Sequence, residues 1–308
     1  MGRVWAIAIN TFREAVRDRV LYGVLGFAIA VLLFTLAIAQ LSLDQEERVV
    51  HDLGLAAISF FSVVVAVFLG SSLLYKEIER KTLYVILPKP IRRHEFLIGK
   101  YLGITITAVV FVAIMGAIQL WIASVQAEAS PALLAAVPLA LVGLLAVAIW
   151  RARDRTSVLL PWSLVALGAS AGLAASADVA LVPVVASLVL DVGEVAVVAG
   201  IAVFFSSFST PFLTGVLTVG VWLVGRSADE MATMRSTVLP DAVRDLLHGL
   251  AWIVPNLNLF VPPRRALLET IDGIGPLEYV AGTMAYGALY AGVLVVLACL
   301  VFRRRDLL

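Results

Sequence analysis

The sequence predicts an all-α, polytopic integral membrane helix bundle of about eight spans, preceded by an interfacial helix. Of 308 residues, 61% are hydrophobic and 15% charged, where soluble domains carry about a quarter charged residues. Mean hydropathy is +1.00. Apolar runs long enough for about 30 Å of hydrocarbon recur along the chain, and the charges gather between them, basic in some places and acidic in others. The formal net charge of +1 says nothing about partners; its distribution sets the topology. The single Cys299 excludes an internal disulfide. No cleavable signal peptide is expected, because the first apolar run lacks a small-residue cleavage site.

Taken in order, residues 3–17 read as an amphipathic helix. Trp5, Ala8, Ile9, Phe12 and Val16 share one face; Arg3, Asn10, Arg13, Glu14 and Arg17 share the other. Such a helix lies in the headgroup plane with its arginines toward anionic lipid. A first span over 20–41, an acidic loop over 42–53 and a second span over 54–75 follow. The third span covers 101–125, so spans 1–3 occupy 20–125 around the charge-rich segment 76–100. Basic residues concentrate near the N-terminus and in 76–100, which the positive-inside rule places in the cytoplasm.

Residues 126–180 form a helical hairpin: two apolar arms, 131–150 and 157–176, around a basic tip of Arg151, Arg153 and Arg155. Ser130-Pro131 suits a helix start, with proline at the first helical position. Segment 181–308 holds the last three spans, expected at 181–205, 211–225 and 279–302, with an extracytoplasmic region over 226–278. Thr210-Pro211 again reads as a cap and a first position. Pro255 interrupts the apolar patch LLHGLAWIVPNLNLFVPP, so this patch is re-entrant or surface-lying rather than spanning. Arg303, Arg304 and Arg305 close the chain and place both termini in the cytoplasm. The number of spans is then even: eight, or six if the hairpin stays outside. The whole chain, 1–308, reads as one transmembrane domain.

Two constellations carry candidate chemistry. Asp191 and Glu194 lie three residues apart inside a span and so share a helix face. Ionisable groups at that depth are costly and mark a polar path, a proton relay or an interhelical contact. The second is Lys76–Gly103, with seven Lys or Arg and three Glu. Tyr75, Ile78, Leu83, Ile86 and Leu87 repeat at helical spacing, and Glu77 precedes Lys81 by four residues. Pro88 and Pro90 end that helix, and a second begins near Arg92 and runs on into the third span. Helix, corner and helix make a rigid knob suited to docking a soluble partner; the alternative is a loop that only fixes topology. Nucleotide-binding, metallopeptidase and hydrolase motifs and a cysteine pair are absent from the sequence.

The knob resembles the signature region of permease subunits of type-2 ABC transporters. Glu77, Glu79, Arg80, Thr82, Leu83, Leu87, Lys89, Pro90, Ile91, Arg93, Phe96, Leu97, Gly99, Lys100 and Gly103 fall in register with its pattern. A common family variant has Gly where this chain has Lys81. Pro255, Asn256 and Leu257 match a P-N-L motif of the family's outer cap, while 126–180 lies outside the resemblance. The resemblance implies that 3–17 is the elbow helix, with Trp5, Phe12, Arg13 and Arg17 at the interface. It implies that 76–100 is a coupling helix docked in a cytoplasmic ABC ATPase subunit through Glu77, Glu79, Arg80, Lys81, Thr82, Pro90, Arg92, Arg93 and Lys100. It further implies a dimer with a second permease copy or a related permease, set in the cytoplasmic membrane, with no nucleic-acid partner. ATP and magnesium would then belong to the partner subunit; this chain would hold no cofactor or metal and would not itself be an enzyme. Substrate export would follow from rigid-body movement of the knob. The competing function is a self-contained, proton-coupled secondary transporter using Asp191 and Glu194. A membrane-embedded enzyme is the weakest class, since the sequence supplies no nucleophile or metal set.

Overall fold

The structure, a computed structural model, describes residues 2–41, 46–79, 92–233, 253–270 and 273–304, together with residues 245 and 249. Ten α-helices and two 3-10 turns, with no strand, make up the described residues. They are α1 (Gly2–Val16), α2 (Arg19–Ala39), α3 (Glu46–Glu79), α4 (Arg93–Gln126), α5 (Pro131–Arg151), α6 (Leu159–Ala175), α7 (Leu181–Ser206), α8 (Pro211–Arg226), α9 (Ala228–Thr233) and α10 (Pro276–Arg304). The protein is a polytopic all-α membrane bundle. Six of the described helices are long and apolar enough to cross a membrane, and α6 and α8 are shorter apolar helices of 17 and 16 residues. At 1.5 Å per residue those two reach about 25 Å, short of a full crossing.

Several boundaries differ from the sequence reading. The acidic stretch expected as a loop over 42–53 is helical from Glu46. Glu46 and Glu47 in the first turn face the positive end of the helix dipole. Arg48 and Asp52, four apart and 3.5 Å from each other, support the turn after it. α4 starts at Arg93 and, as expected, runs unbroken from the second half of the knob through the third span. Glu95 caps its start by accepting the Arg92 N–H at 3.1 Å. Ser130 and Thr210 do stand at the N-caps of α5 and α8 with proline following, but neither side chain makes the capping hydrogen bond.

The core lies where α3, α4 and α7 meet, with α10 packed on α7 and α8 wedged between α3 and α7. α1 packs along α4. Gly99 and Gly103, four apart on one face of α4, make this possible. A Cβ at Gly103 would sit 2.7 Å from the Ala8 carbonyl oxygen, and one at Gly99 would sit 2.6 Å from Ile7 Cβ. The apolar face of α1 therefore turns onto protein: Ala8, Phe12 and Val16 are buried, with Phe12 against Val110 and Ile106. Phe12, expected at the membrane interface, is instead packed inside the protein. Trp5, at 54% exposure, stays on the outside.

The hairpin expected over 126–180 is present as α5 and α6, but its two arms are held differently. α6 packs tightly on α4, whereas α5 buries no residue at all. Pro138 inside α5 has no N–H, so the Leu134 carbonyl four residues earlier loses its helical donor. Trp121 Nε1 of α4 donates to that oxygen at 3.1 Å. Trp162 Nε1 of α6 donates to the Leu141 carbonyl at 3.0 Å. Two indoles thus tie α5 to the bundle through its backbone.

Side-chain contacts sort the helix ends into two faces. On one face, Arg93 donates to the Phe302 and Arg303 carbonyls at 3.3 and 3.2 Å, closing the C-terminal end of α10. The hairpin tip joins this face, because Arg13 pairs with Asp154. On the opposite face, Arg264 reaches Glu47 at 3.4 Å. The start of α1, the end of α10 and the start of α4 are therefore together, away from the start of α3.

Candidate functional site

The docking residues of the knob divide three ways. Arg80, Lys81, Thr82 and Pro90 lie outside the described residues, while Glu77 and Glu79 lie on the last turns of α3. Arg92 is exposed, and half-buried Arg93 is turned onto α10, as described. Lys100, expected at the docking surface, is instead 2% exposed. Its Nζ lies 3.5 Å from Glu14 Oε2 of α1 and 5.8 Å from the centre of the Phe96 ring. A cation without water needs such partners, so Lys100 ties α4 to α1.

Of the interfacial residues, Arg17 is exposed, whereas Arg13 reaches Asp154 and Ser157 of the hairpin tip. Asp154 also accepts from the hydroxyls of Ser157 and Thr156. The Ser157 and Thr156 hydroxyls, the Thr156 N–H and the Arg13 charge hold its carboxyl at about 2, below the usual carboxylate range. The lone acidic residue of a basic tip is thereby the one that docks it on α1.

Asp191 and Glu194 share α7 but have different surroundings. Glu194 is fully buried and held on both oxygens. Arg226 Nε and Nη2 donate to Oε1 and Oε2 at 2.8 Å each, Trp222 Nε1 to Oε1 at 2.9 Å, and Ser59 Oγ to Oε2 at 3.0 Å. Arg226 also stacks on Trp222, 5.6 Å from the ring centre. The sequence reading left Arg226 outside the span. The structure ends α8 at the level of Glu194, about 20 Å along α7 from its first residue. The proton-coupled alternative is not favoured: a carboxylate with four donors is a structural tie, not a free relay. Asp191 is buried too, but it lines a cavity. That cavity, of about 670 Å³, lies between α3, α7 and residues 260–268.

The segment after Ile253 fills the space that short α8 leaves. Leu257 and Phe260 are buried between α7, α8 and α10, and the described part is a pair of 3-10 turns. Irregular backbone at this depth must find its hydrogen bonds inside the protein. Leu257 N–H donates to the Gly225 carbonyl at 2.9 Å, and Asn256 N–H to the Tyr286 hydroxyl at 2.9 Å. Tyr279 and Tyr290 hydroxyls donate to the Leu259 and Ile253 carbonyls at 2.8 and 2.7 Å. Asp229 takes the side-chain amides of Asn256 and Asn258 at 2.6 and 2.9 Å. Pro255-Asn256-Leu257 is therefore a plug anchored at the end of α8.

Residues 2–152 match the family described as ABC-2 type transporter. Over that stretch the chain is similar to the membrane domain of a type-2 ABC transporter. The matched region takes in α1 to α5. It takes in the first arm of the hairpin, which lies outside the resemblance in motifs, and it ends as α5 ends. The domain thus includes the elbow–α4 contact, the Trp121 tie and the segment from α3 to α4. No curated protein matches the chain. The ABC-2 domain is a transport component of the membrane rather than a catalytic one.

Proposed function

We propose that this chain is the membrane-spanning permease subunit of an ABC exporter, driven by a separate cytoplasmic ATPase docked on residues 76–100. The observation that carries this reading is the length of the two helices around that segment. α3 and α4 have 34 residues each, or about 50 Å, against about 30 Å of hydrocarbon. Each helix outruns the bilayer, and the segment between them joins two rods that continue into the core. α4 carries α1 through Gly99, Gly103 and Lys100, and the end of α10 through Arg93. A displacement of the docked segment on ATP binding then moves α3, α4, α1 and α10 as rigid bodies. In this reading the face holding both termini is cytoplasmic, the membrane is the cytoplasmic membrane, and two permease chains pair across the bilayer. ATP and magnesium act in the ATPase subunit.

The test is purification of the tagged chain from its native membranes with the ATPase activity that accompanies it. Losing a desolvated interface charge costs about 2 kcal/mol or more, about thirtyfold in affinity. Arg92→Glu should therefore deplete the copurified ATPase. Cysteines at Glu46 and Arg92 should label from opposite sides, with Arg92 inside. Undiminished ATPase in chains reversed at Arg80, Lys81 and Arg92 together, or labelling of both cysteines from one side, would end this reading.

A further inference from the structure

The cavity beside Asp191 opens on the face opposite the docking segment, where residues 260–268 cross the start of α3. Six buried side-chain polar atoms among the described residues have no hydrogen-bond partner. Three of them belong to residues that line this one cavity: Asp191 Oδ2, His51 Nε2 and Arg264 Nε. Buried polar groups are normally paired, and a cluster of exceptions around one space marks what the space is built to receive.

Charge narrows the choice. α7 brings two carboxylates to this depth, and the one guanidinium beside them is committed to Glu194 through both nitrogens. Asp191 Oδ2 has no partner, and the neighbouring Ser59 hydroxyl donates to Glu194 instead. The charges at the mouth are already matched, Arg48 with Asp52 and Arg264 with Glu47. That leaves the Asp191 carboxyl, at the floor, without a cation of its own. The walls between floor and mouth are apolar, from Leu55, Phe260, Pro262 and Leu267.

We propose that this cavity binds a protonated amine on an apolar body: the ammonium on Asp191, the body against the Leu55–Phe260 wall, and a hydrogen-bond acceptor at the far end on Arg264. Resting on the permease reading, this names the chemical class of the transported substrate. A cavity of about 670 Å³ is of the size that takes a drug-sized molecule.

Dansylcadaverine has this chemistry: a primary amine, a five-carbon chain and a sulfonamide on an aromatic ring. Its N-acetyl derivative keeps everything but the charge. Both are titrated by fluorescence into the purified full-length chain in lipid nanodiscs, without ATPase. The amine should bind saturably, and the acetyl derivative at least tenfold more weakly. Asp191→Asn should bring the amine down to the level of its acetyl derivative. Ser187→Phe, which fills the cavity one turn from Asp191 and leaves the carboxylate in place, should abolish binding of both. Equal binding of the two probes would mean a neutral hydrogen-bonding floor and would overturn the proposal. So would unchanged binding in Asp191→Asn, or no saturable binding at all. If Asp191→Asn does not fold, the contrast between the two probes and the Ser187→Phe variant decide. Because no ATPase is present, a failure here is distinct from a failure of the docking reading.

Discussion

The Glu194–Arg226 pair gives the sharpest test of what holds α7 and α8 together. The perturbation is Glu194→Gln, which keeps shape and removes charge. Glu194 Oε1 accepts from Trp222 and Arg226, and Oε2 from Ser59 and Arg226. A glutamine amide in either orientation sets an N–H₂ group against two donors. The guanidinium then has no counter-charge, in a site where Glu194 itself is 0% exposed. Breaking a buried pair by removing one partner costs about 3–5 kcal/mol. At about 2 °C per kcal/mol, suited to a larger chain, Tm should fall by about 6–10 °C. Gel-filtration thermal stability of the purified chain reads this directly. Removing both charges, Glu194→Leu with Arg226→Met, leaves mainly the Trp222 N–H without an acceptor, at about 1–3 kcal/mol. The double variant should therefore be more stable than either Glu194→Gln or Arg226→Met alone. A wild-type Tm for Glu194→Gln, or purely additive losses in the double variant, would refute the reasoning.

Three further outcomes follow from contacts elsewhere. Gly103→Val should separate α1 from α4, since its Cβ would meet the Ala8 carbonyl oxygen at 2.7 Å. The cost should be about 1–3 kcal/mol, read as a lower Tm and as loss of cross-linking between cysteines on the two helices. Trp121→Phe should destabilise by about 1–3 kcal/mol, because it orphans the Leu134 carbonyl; adding Pro138→Ala restores a helical donor and should recover much of the loss. The hairpin-tip contact should depend on pH at the acid end. Asp154 is held at about 2 in the fold against about 3.9 unfolded. A depressed folded value means that the contribution is complete above about pH 4 and is lost as pH falls toward 2. Proteolysis at Arg151–Arg155 should rise over that window in the native chain, and be high at all pH in Asp154→Asn.

The sequence announces the elements better than it announces neighbours. Apolar runs bounded by charge locate the eight apolar helices, and Pro88 and Pro90 locate the restart at Arg92–Arg93, because each of these signals is local. The start of α3 was misread because Glu46 and Glu47 look like loop residues until their place at a helix N-terminus is known. Lys100 looks like a docking charge beside Arg92 and Arg93; only the fold brings Glu14 to it. Phe12 and Trp5 sit on one amphipathic face, and only the approach at Gly99 and Gly103 decides which of them meets protein. The candidate site was half legible: Asp191 and Glu194 stand out as acids inside a span. Arg226, which decides what Glu194 does, is 32 residues away on another helix, and no spacing rule connects them.

α5 has an unusual relation to its own sequence. Its attachments are the oxygens of Leu134 and Leu141, atoms that every residue type supplies, and none of its side chains is buried. Lipid asks of the rest only that it be apolar. Leu, Val, Ile, Ala and Phe can therefore replace one another along nearly all of α5 with little effect on the grip of the two indoles. Pro138 is the exception, as the residue that frees one of those oxygens. Divergence between relatives should accordingly run fast along this helix and slowly at Trp121 and Trp162, so the record of its attachment is written in the sequences of its neighbours.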